Sequence, residues 1–258
     1  MWMNQTVSVI LPTYNEKESI RDCITAFFRT GYVDEVVVVN NNAVSGTSDE
    51  VARSRAREVF EPEQGYGAAI QRGFLEAKGA LVVVCEPDST FQAEDILKLL
   101  AYSGDFDFVV GTRTAKEFIW EGANMSHFLK WGNYAVAKLM ELLFNTVTLT
   151  DVGCTMRLIK RDALLRMQPH FTIKDNYFGP EMMLLACVLD IPFVQIPVNY
   201  RERVGVSSVT GNKWKALALG FRMIRLILKY KWQYDGIWIR RRVKRMESSN
   251  RSLVRSFE

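Results

Sequence analysis

The chain is poor in the features that mark secreted or membrane-spanning proteins. Only four of its 258 residues are cysteine (Cys23, Cys85, Cys154 and Cys187), and they lack the paired spacing of a zinc site or a disulfide framework. Cys85 and Cys187 stand in apolar runs typical of buried thiols, so a reducing cytosol is the expected setting. Nowhere do about eighteen apolar residues run without interruption, and Met1 to Val7 carries no charged segment leading into an apolar one. Neither a spanning helix nor a cleavable leader is therefore expected. The two histidines, His127 and His170, are isolated and support no metal or triad argument. No repeat or low-complexity linker interrupts the chain, and the one plausible boundary lies near Gly211. What is present is material for a core: 48% of residues are hydrophobic and 12% aromatic, enough for one globular domain, alone or with an appendage.

The formal charge of +4 conceals an asymmetry. From Lys213 onward thirteen Lys and Arg face only Asp235, Glu247 and Glu258, a net +10 that leaves −6 on the rest. Within this segment Arg222, Arg225 and Lys229 recur at helical spacing among Leu217, Leu219, Phe221, Ile224, Leu226, Ile227 and Leu228. Two readings stand side by side. A basic amphipathic helix lies on an anionic membrane surface with Trp214, Tyr230, Trp232, Tyr234 and Trp238 as interfacial anchors, or the helix packs on the protein's own core with a solvated basic face. The cluster from Arg240 to Arg245 suits anionic lipid better than nucleic acid, because no nucleic-acid-binding module is recognisable.

Hydrophobic periodicity predicts strands at Thr6 to Leu11, Glu35 to Val39, Leu81 to Cys85, Phe106 to Val110 and Phe193 to Tyr200. Helices are expected at Glu16 to Phe28, Thr47 to Arg57, Tyr66 to Ala77, Ala93 to Ala101, Ser126 to Phe144 and Pro180 to Leu189. Val-rich strands alternating with helices predict an α/β protein with a mostly parallel sheet. In such a sheet the strand ends converge on one crevice. The first strand leads into Pro12, Tyr14 and Glu16, the second into Asn40, Asn41 and Asn42, and the third into Glu86, Pro87 and Asp88. The last two carboxylates, set two apart with Pro87 restraining the turn, suit one hard cation clamped against a diphosphate, although an ordinary polar loop has the same composition. A nucleotide fits the same crevice, with Pro12 and Tyr14 walling a base, Asn41 hydrogen-bonding it and Glu16 or Asn40 reaching the ribose. Gly65 and Gly67 open the next helix, where backbone can approach a ligand closely.

With these segments in order, the chain resembles the family-2 inverting glycosyltransferases of GT-A fold, and among them the dolichyl- or polyprenyl-phosphate sugar transferases. The resemblance rests on Val7 to Glu16 (VSVILPTYNE), Gly65 to Gly73 (GYGAAIQRG), Glu86 and Asp88, Gly111 to Arg113 (GTR), Asp151 to Arg157 (DVGCTMR), Glu181, and Ile196 to Ser207 (IPVNYRERVGVS). It covers roughly residues 6 to 210. It implies a Rossmann-like sheet, a GDP- or UDP-sugar donor, Mg²⁺ or Mn²⁺, and work at the cytosolic face of a membrane. The expected domains are then 1–210, catalytic, and 211–258, a basic helical tail.

By the same resemblance Pro12, Tyr14 and Glu16 belong to the donor segment, and Asn41 falls where an aspartate usually recognises the base. Glu86 and Asp88 match the family's D-x-D motif, with Thr90 where some relatives have a further ligand. Arg113 and Lys130 fall where cations grip an acceptor phosphate. Arg203 matches the arginine of a loop that closes over the diphosphate, and Ser207 follows it. The departures are plain: Asn40, Asn41 and Asn42 replace a carboxylate-rich stretch, Glu86 replaces an aspartate, Lys130 replaces an arginine, and the processive synthases' Gln-x-x-Arg-Trp signature is absent. A polyprenyl phosphate acceptor needs no strong base, and the expected reaction is one in-line displacement with inversion, assisted by Asp88 and Arg203. A glycolipid or glycan hydroxyl needs a base, for which Asp151 or Glu181 is the candidate. A non-catalytic nucleotide-sugar or lipid-binding module is the third reading, and homo-oligomerisation stays open.

Overall fold

A computed structural model describes residues 1–119, 127–204 and 217–234. One seven-stranded sheet runs in the order β3-β2-β1-β4-β6-β5-β7. Its strands are β1 (Val7–Thr13), β2 (Glu35–Asn40), β3 (Arg57–Phe60), β4 (Leu81–Val84), β5 (Phe108–Thr112), β6 (Arg157–Lys160) and β7 (Phe193–Pro197). All are parallel except β6, which lies antiparallel between β4 and β5. Every residue of β1 and β4 is buried, as continuous apolar runs require of a sheet covered on both faces. The chain starts at the centre, moves out through β2 to β3 and returns to β4 on the other side of β1. That reversal opens a crevice at the C-terminal ends of β1 and β4.

Two apolar layers sandwich the sheet. On one face α1 (Lys17–Arg29), α2 (Thr47–Ala52) and α4 (Ile96–Tyr102) bury Ile20, Ile24, Phe27, Val51, Ile96 and Leu99 against Val9, Leu11, Val83 and Val109. On the other face lie α3 (Tyr66–Glu76), α5 (His127–Phe144), α6 (Arg161–Met167), α7 (Phe178–Val188) and a helix over residues 217–234, here α8. They enclose Ile10, Val82, Val84 and Val110 with Phe74, Met140, Leu164, Phe178 and Met183. α7 is buried on all sides and, apart from Glu181, carries no charged side chain in consequence.

Five elements depart from expectation: α2, β3, β6, α6 and α8. The helix predicted from Thr47 ends at Ala52, because Arg57 to Phe60 pairs with β2 as an edge strand. β6 and α6 were not foreseen: four residues with charged ends carry little periodic signal, and their place is set by pairing with β4 and β5. α8 packs into the core through Met223, Leu226, Ile227 and Tyr230, each under 7% exposed, so this part of the expected appendage shares the core that covers the sheet. Its outer face shows Phe221, Leu228 and Trp232 among Arg222, Arg225 and Lys229. Tyr230 and Tyr234, expected as membrane anchors, point inward, while Trp214 and Trp238 lie outside the described residues. No helix among the described residues is long and apolar enough to cross a membrane.

Candidate functional site

The crevice is built around the turn that follows β4. Ser89 takes a left-handed conformation (φ 65°), and the Thr90 N–H and hydroxyl both donate to Asp88 Oδ1, at 3.0 and 2.5 Å. Thr90 thus orients Asp88, while its hydroxyl oxygen keeps the lone pairs that the expected further cation contact would use. The Pro87 carbonyl accepts the Ser19 hydroxyl at 2.6 Å and ties the turn to α1.

A segment after β7 zips onto this turn. Phe91 and Tyr200 form a bridge, Arg201 N–H donates to the Thr90 carbonyl, and Val204 N–H donates to the Asp88 carbonyl at 3.0 Å. The pairing delivers Arg203, whose Nη2 lies 2.9 Å from Glu86 Oε2 and 2.5 Å from Asp88 Oδ2. Asp88 is 1% exposed. Burial and the adjacent Asp88 raise the Glu86 pKa, and Arg203 and Arg113 oppose that rise. Two acids this close need a cation, and Arg203 supplies one. An all-oxygen pair also fits a hard divalent ion, provided the remaining ligands come from a diphosphate and water. Among the described residues no third His, Cys, Asp or Glu joins the pair.

Behind the turn stands a second cation. Arg113, one residue past β5, donates from Nε and Nη2 to the two oxygens of Asp151 at 2.8 and 3.0 Å, and its own N–H adds a third bond. Asp151 is wholly buried; burial raises its pKa, but Arg113 and the N–H groups of Gly153 and Arg113 more than offset this and leave it below the usual carboxylate range. Gln195 braces the loop through Thr150 N–H, Asp151 N–H and the Asp151 carbonyl. Arg113 also lies over the Tyr200 ring at 5.2 Å. A Cβ on Gly153 would come within 3.0 Å of both Arg113 Nη2 and Asn133 Oδ1, so the glycine admits Arg113 against α5. Lys130 lies one turn before Asn133 on α5, and among the described residues no contact joins it to the carboxylates. Gln195 and Asn133 escaped notice in the sequence because one Gln or Asn carries no motif, and Tyr200, though inside the Ile196 to Ser207 stretch, was given no role there.

Other expected donor residues are placed differently from one another. Pro12 is buried within β1, Tyr14 is 46% exposed at the crevice, and Glu16 caps its own loop by accepting from the N–H groups of Tyr14 and Asn15. Asn40 and Asn41 bond their own chain: Asn40 holds Ser48 and Glu58, and Asn41 holds residues 61–65. Gly65 and Gly67 admit the chain's own backbone, since added Cβ atoms would stand 2.3 Å from the Lys174 carbonyl oxygen and 2.7 Å from that of Ile173. Among the described residues Glu181 makes its hydrogen bonds away from this cluster. It is fully buried and accepts from Thr172 N–H, the Thr172 hydroxyl, Ile173 N–H and the Tyr230 hydroxyl, which is the situation of an anchor between α7 and α8. Ser207 lies outside the described residues.

A family profile described as "Glycosyl transferase family 2" matches residues 8–167. The chain is 28% identical over 230 residues to a low-salt glycan biosynthesis hexosyltransferase of Haloferax volcanii, covering 86% of this chain and 53% of that protein. It is 29% identical over 203 residues to a dolichyl-phosphate hexose transferase of the same organism, covering 77% and 84%. Among solved structures, glucosyl-3-phosphoglycerate synthase from Mycobacterium tuberculosis, crystallised with Mn²⁺, UDP-glucose and phosphoglyceric acid, superposes with a TM-score of 0.69 at 16% identity over 88% of this chain and 80% of that one.

Proposed function

The chain belongs to glycosyl transferase family 2 and has its GT-A fold, and from that premise we propose that it moves a sugar from a nucleoside diphosphate to a polyprenyl phosphate, with a divalent cation and inversion at the anomeric carbon. The observation that carries the reading is the Glu86–Asp88–Arg203 cluster at the end of β4, backed by the oriented Arg113. The dolichyl-phosphate hexose transferase among the relatives supports the acceptor class.

In the reaction an acceptor phosphate oxygen attacks the anomeric carbon while the bond from that carbon to the β-phosphate oxygen breaks. A phosphate monoester is largely doubly ionised near neutral pH and needs no base to deprotonate it. Arg113, held in orientation by Asp151, presents its remaining directed donors to the incoming phosphate. Arg203 stabilises charge growing on the leaving diphosphate. Glu86 and Asp88 would hold the cation, which supplies Lewis-acid stabilisation of the leaving nucleotide. A hydroxyl acceptor is less well supported. Asp151 is paired bidentately with Arg113 and Glu181 is saturated by four donors, so neither is free to take a proton.

The outer face of α8 supports peripheral attachment to an anionic bilayer at the cytosolic side. Phe221, Leu228 and Trp232 are 70%, 52% and 86% exposed, and the basic side chains between them complement anionic headgroups. Transfer of labelled sugar from UDP- and GDP-sugars to undecaprenyl phosphate, with Mn²⁺ or Mg²⁺, tests the reaction. Transfer to a glycolipid hydroxyl in preference to the lipid phosphate would overturn the acceptor assignment. Changing Phe221, Leu228 and Trp232 together to Ser is expected to release the folded protein from phosphatidylglycerol vesicles; undiminished binding would sink the membrane reading.

A further inference from the structure

Asn41 is 4% exposed and uses every hydrogen-bonding position of its amide. Nδ2 donates to the carbonyls of Glu61 and Glu63 at 2.8 and 2.7 Å, and Oδ1 accepts from Gly65 N–H and Gln64 Nε2 at 2.9 and 3.0 Å. The two carbonyls and the Gly65 N–H cannot exchange roles, so they fix which end of the amide is which. Together these bonds fold residues 61–65 back onto the end of β2 and set the start of α3 beside the crevice. The neighbours reinforce the clasp. Asn42 adopts φ 58° and donates to the Pro62 carbonyl and to Gln64 Oε1 at 3.3 and 3.2 Å, and Asn41 N–H donates to the Thr13 carbonyl of β1 at 3.0 Å.

We infer that Asn41 is a positioning residue, which shapes the donor pocket by holding residues 61–65 and does not read the nucleotide base, and that the NH₂ of its amide is indispensable. The inference rests on the donor-binding reading above. A carboxylate of the same size would point lone pairs at two carbonyl oxygens and forfeit both donated bonds. The groups around it would worsen this: Glu58 on β3 and Glu61 and Glu63 in the loop are acidic, and Lys174, which reaches this loop, is already paired with Glu63 at 2.6 Å. Protonation would return one donor, so the damage done by Asp at this position should ease in acid.

The test compares Asn41→Asp and Asn41→Ala with the wild type for UDP and GDP binding and for thermal stability without ligand, between pH 8 and pH 5.5. At pH 8, Asn41→Asp is expected to melt lower and to bind both nucleotides at least about tenfold more weakly. Its deficit relative to wild type should shrink severalfold by pH 5.5. Asn41→Ala should show a deficit that does not change with pH, and in both variants the ratio of UDP to GDP affinity should stay that of the wild type. Wild-type affinity in Asn41→Asp at pH 8, a pH-independent deficit, or an altered UDP to GDP ratio would each overturn the inference. Ligand-free melting keeps the test separate from the donor reading: if the wild type binds neither nucleotide, the pH-dependent stability deficit still decides whether the amide clasp exists. If Asn41→Asp fails to fold at pH 8, recovery of folding at pH 5.5 supports the clasp, and failure at both values with a folded Asn41→Ala refutes the protonation argument.

Discussion

Replacing Arg203 by Ala should make the protein bind a free divalent cation more tightly while ruining it as an enzyme. The guanidinium lies 2.9 Å from Glu86 Oε2 and 2.5 Å from Asp88 Oδ2, and a cation binding those oxygens has to displace it. Charge-assisted hydrogen bonds contribute about 1.5–3 kcal/mol each in protected surroundings. Arg203 is 20% exposed, so we take ~1.5–3 kcal/mol for the two together, which at about 1.4 kcal/mol per decade predicts a 10- to 100-fold lower Kd for Mn²⁺. Without metal the variant leaves Asp88 buried without its counter-charge, and a loss of ~2 kcal/mol would lower Tm by about 4–8 °C for a chain of this size. Added Mn²⁺ should then raise its Tm more than it raises that of the wild type. With donor present the lost stabilisation of the leaving diphosphate should reduce kcat/KM by about 10²-fold or more. Titration calorimetry with MnCl₂ in the absence of nucleotide is the deciding assay. Equal or weaker Mn²⁺ binding by Arg203→Ala would refute the claim that arginine and metal compete for one place.

Asp151→Asn should leave donor affinity within about twofold while lowering kcat/KM for the lipid phosphate at least about tenfold, because the amide cannot hold both arms of Arg113; an unchanged acceptor dependence in steady-state kinetics would contradict this. Glu35 is held below the usual carboxylate range: burial raises its pKa, but the Ser8 hydroxyl, the Lys78 N–H and Arg57 outweigh it. Its contribution is therefore complete above about pH 4.5 and is lost as pH falls through the lower folded-state value. Wild type should out-melt Glu35→Gln by a few degrees at pH 7, and the two should converge toward pH 3 in calorimetry; a constant gap would show that charge is not the cause. Tyr230→Phe removes the hydroxyl that donates to Glu181 Oε1 at 3.0 Å and should cost about 2 kcal/mol in denaturant unfolding, with turnover per folded molecule retained. A loss of turnover without loss of stability would instead place Glu181 in the chemistry.

Much of the frame was legible in the chain. The Val-rich runs of β1, β2 and β4 are apolar on both faces, and only a sheet covered on both sides buries such runs, so these strands, their mostly parallel sheet and the polar ends that follow them could be read directly. The pairing of Glu86 and Asp88 survived for the same reason, being tied by sequence proximity to one strand end. β6 was not legible, because the antiparallel place of four residues between β4 and β5 depends on partners 47 to 79 positions away. The two-sidedness of α8 was half legible: helical spacing separated its faces, but nothing in the spacing said that Tyr230 would meet Glu181 while Trp232 stayed exposed.

What the sequence by itself determined is the set of groups that local chemistry binds to a strand end: an acidic pair, a run of amides, two arginine-bearing motifs and a basic helix. Tertiary structure alone decided how their hydrogen bonds are distributed. Thr90 turned to Asp88, Asp151 was committed to Arg113, and Asn41 closed on residues 61–65. The physical reason is that a polar side chain's type states how many bonds it can make, whereas burial makes each of those bonds obligatory and only the fold supplies the partners.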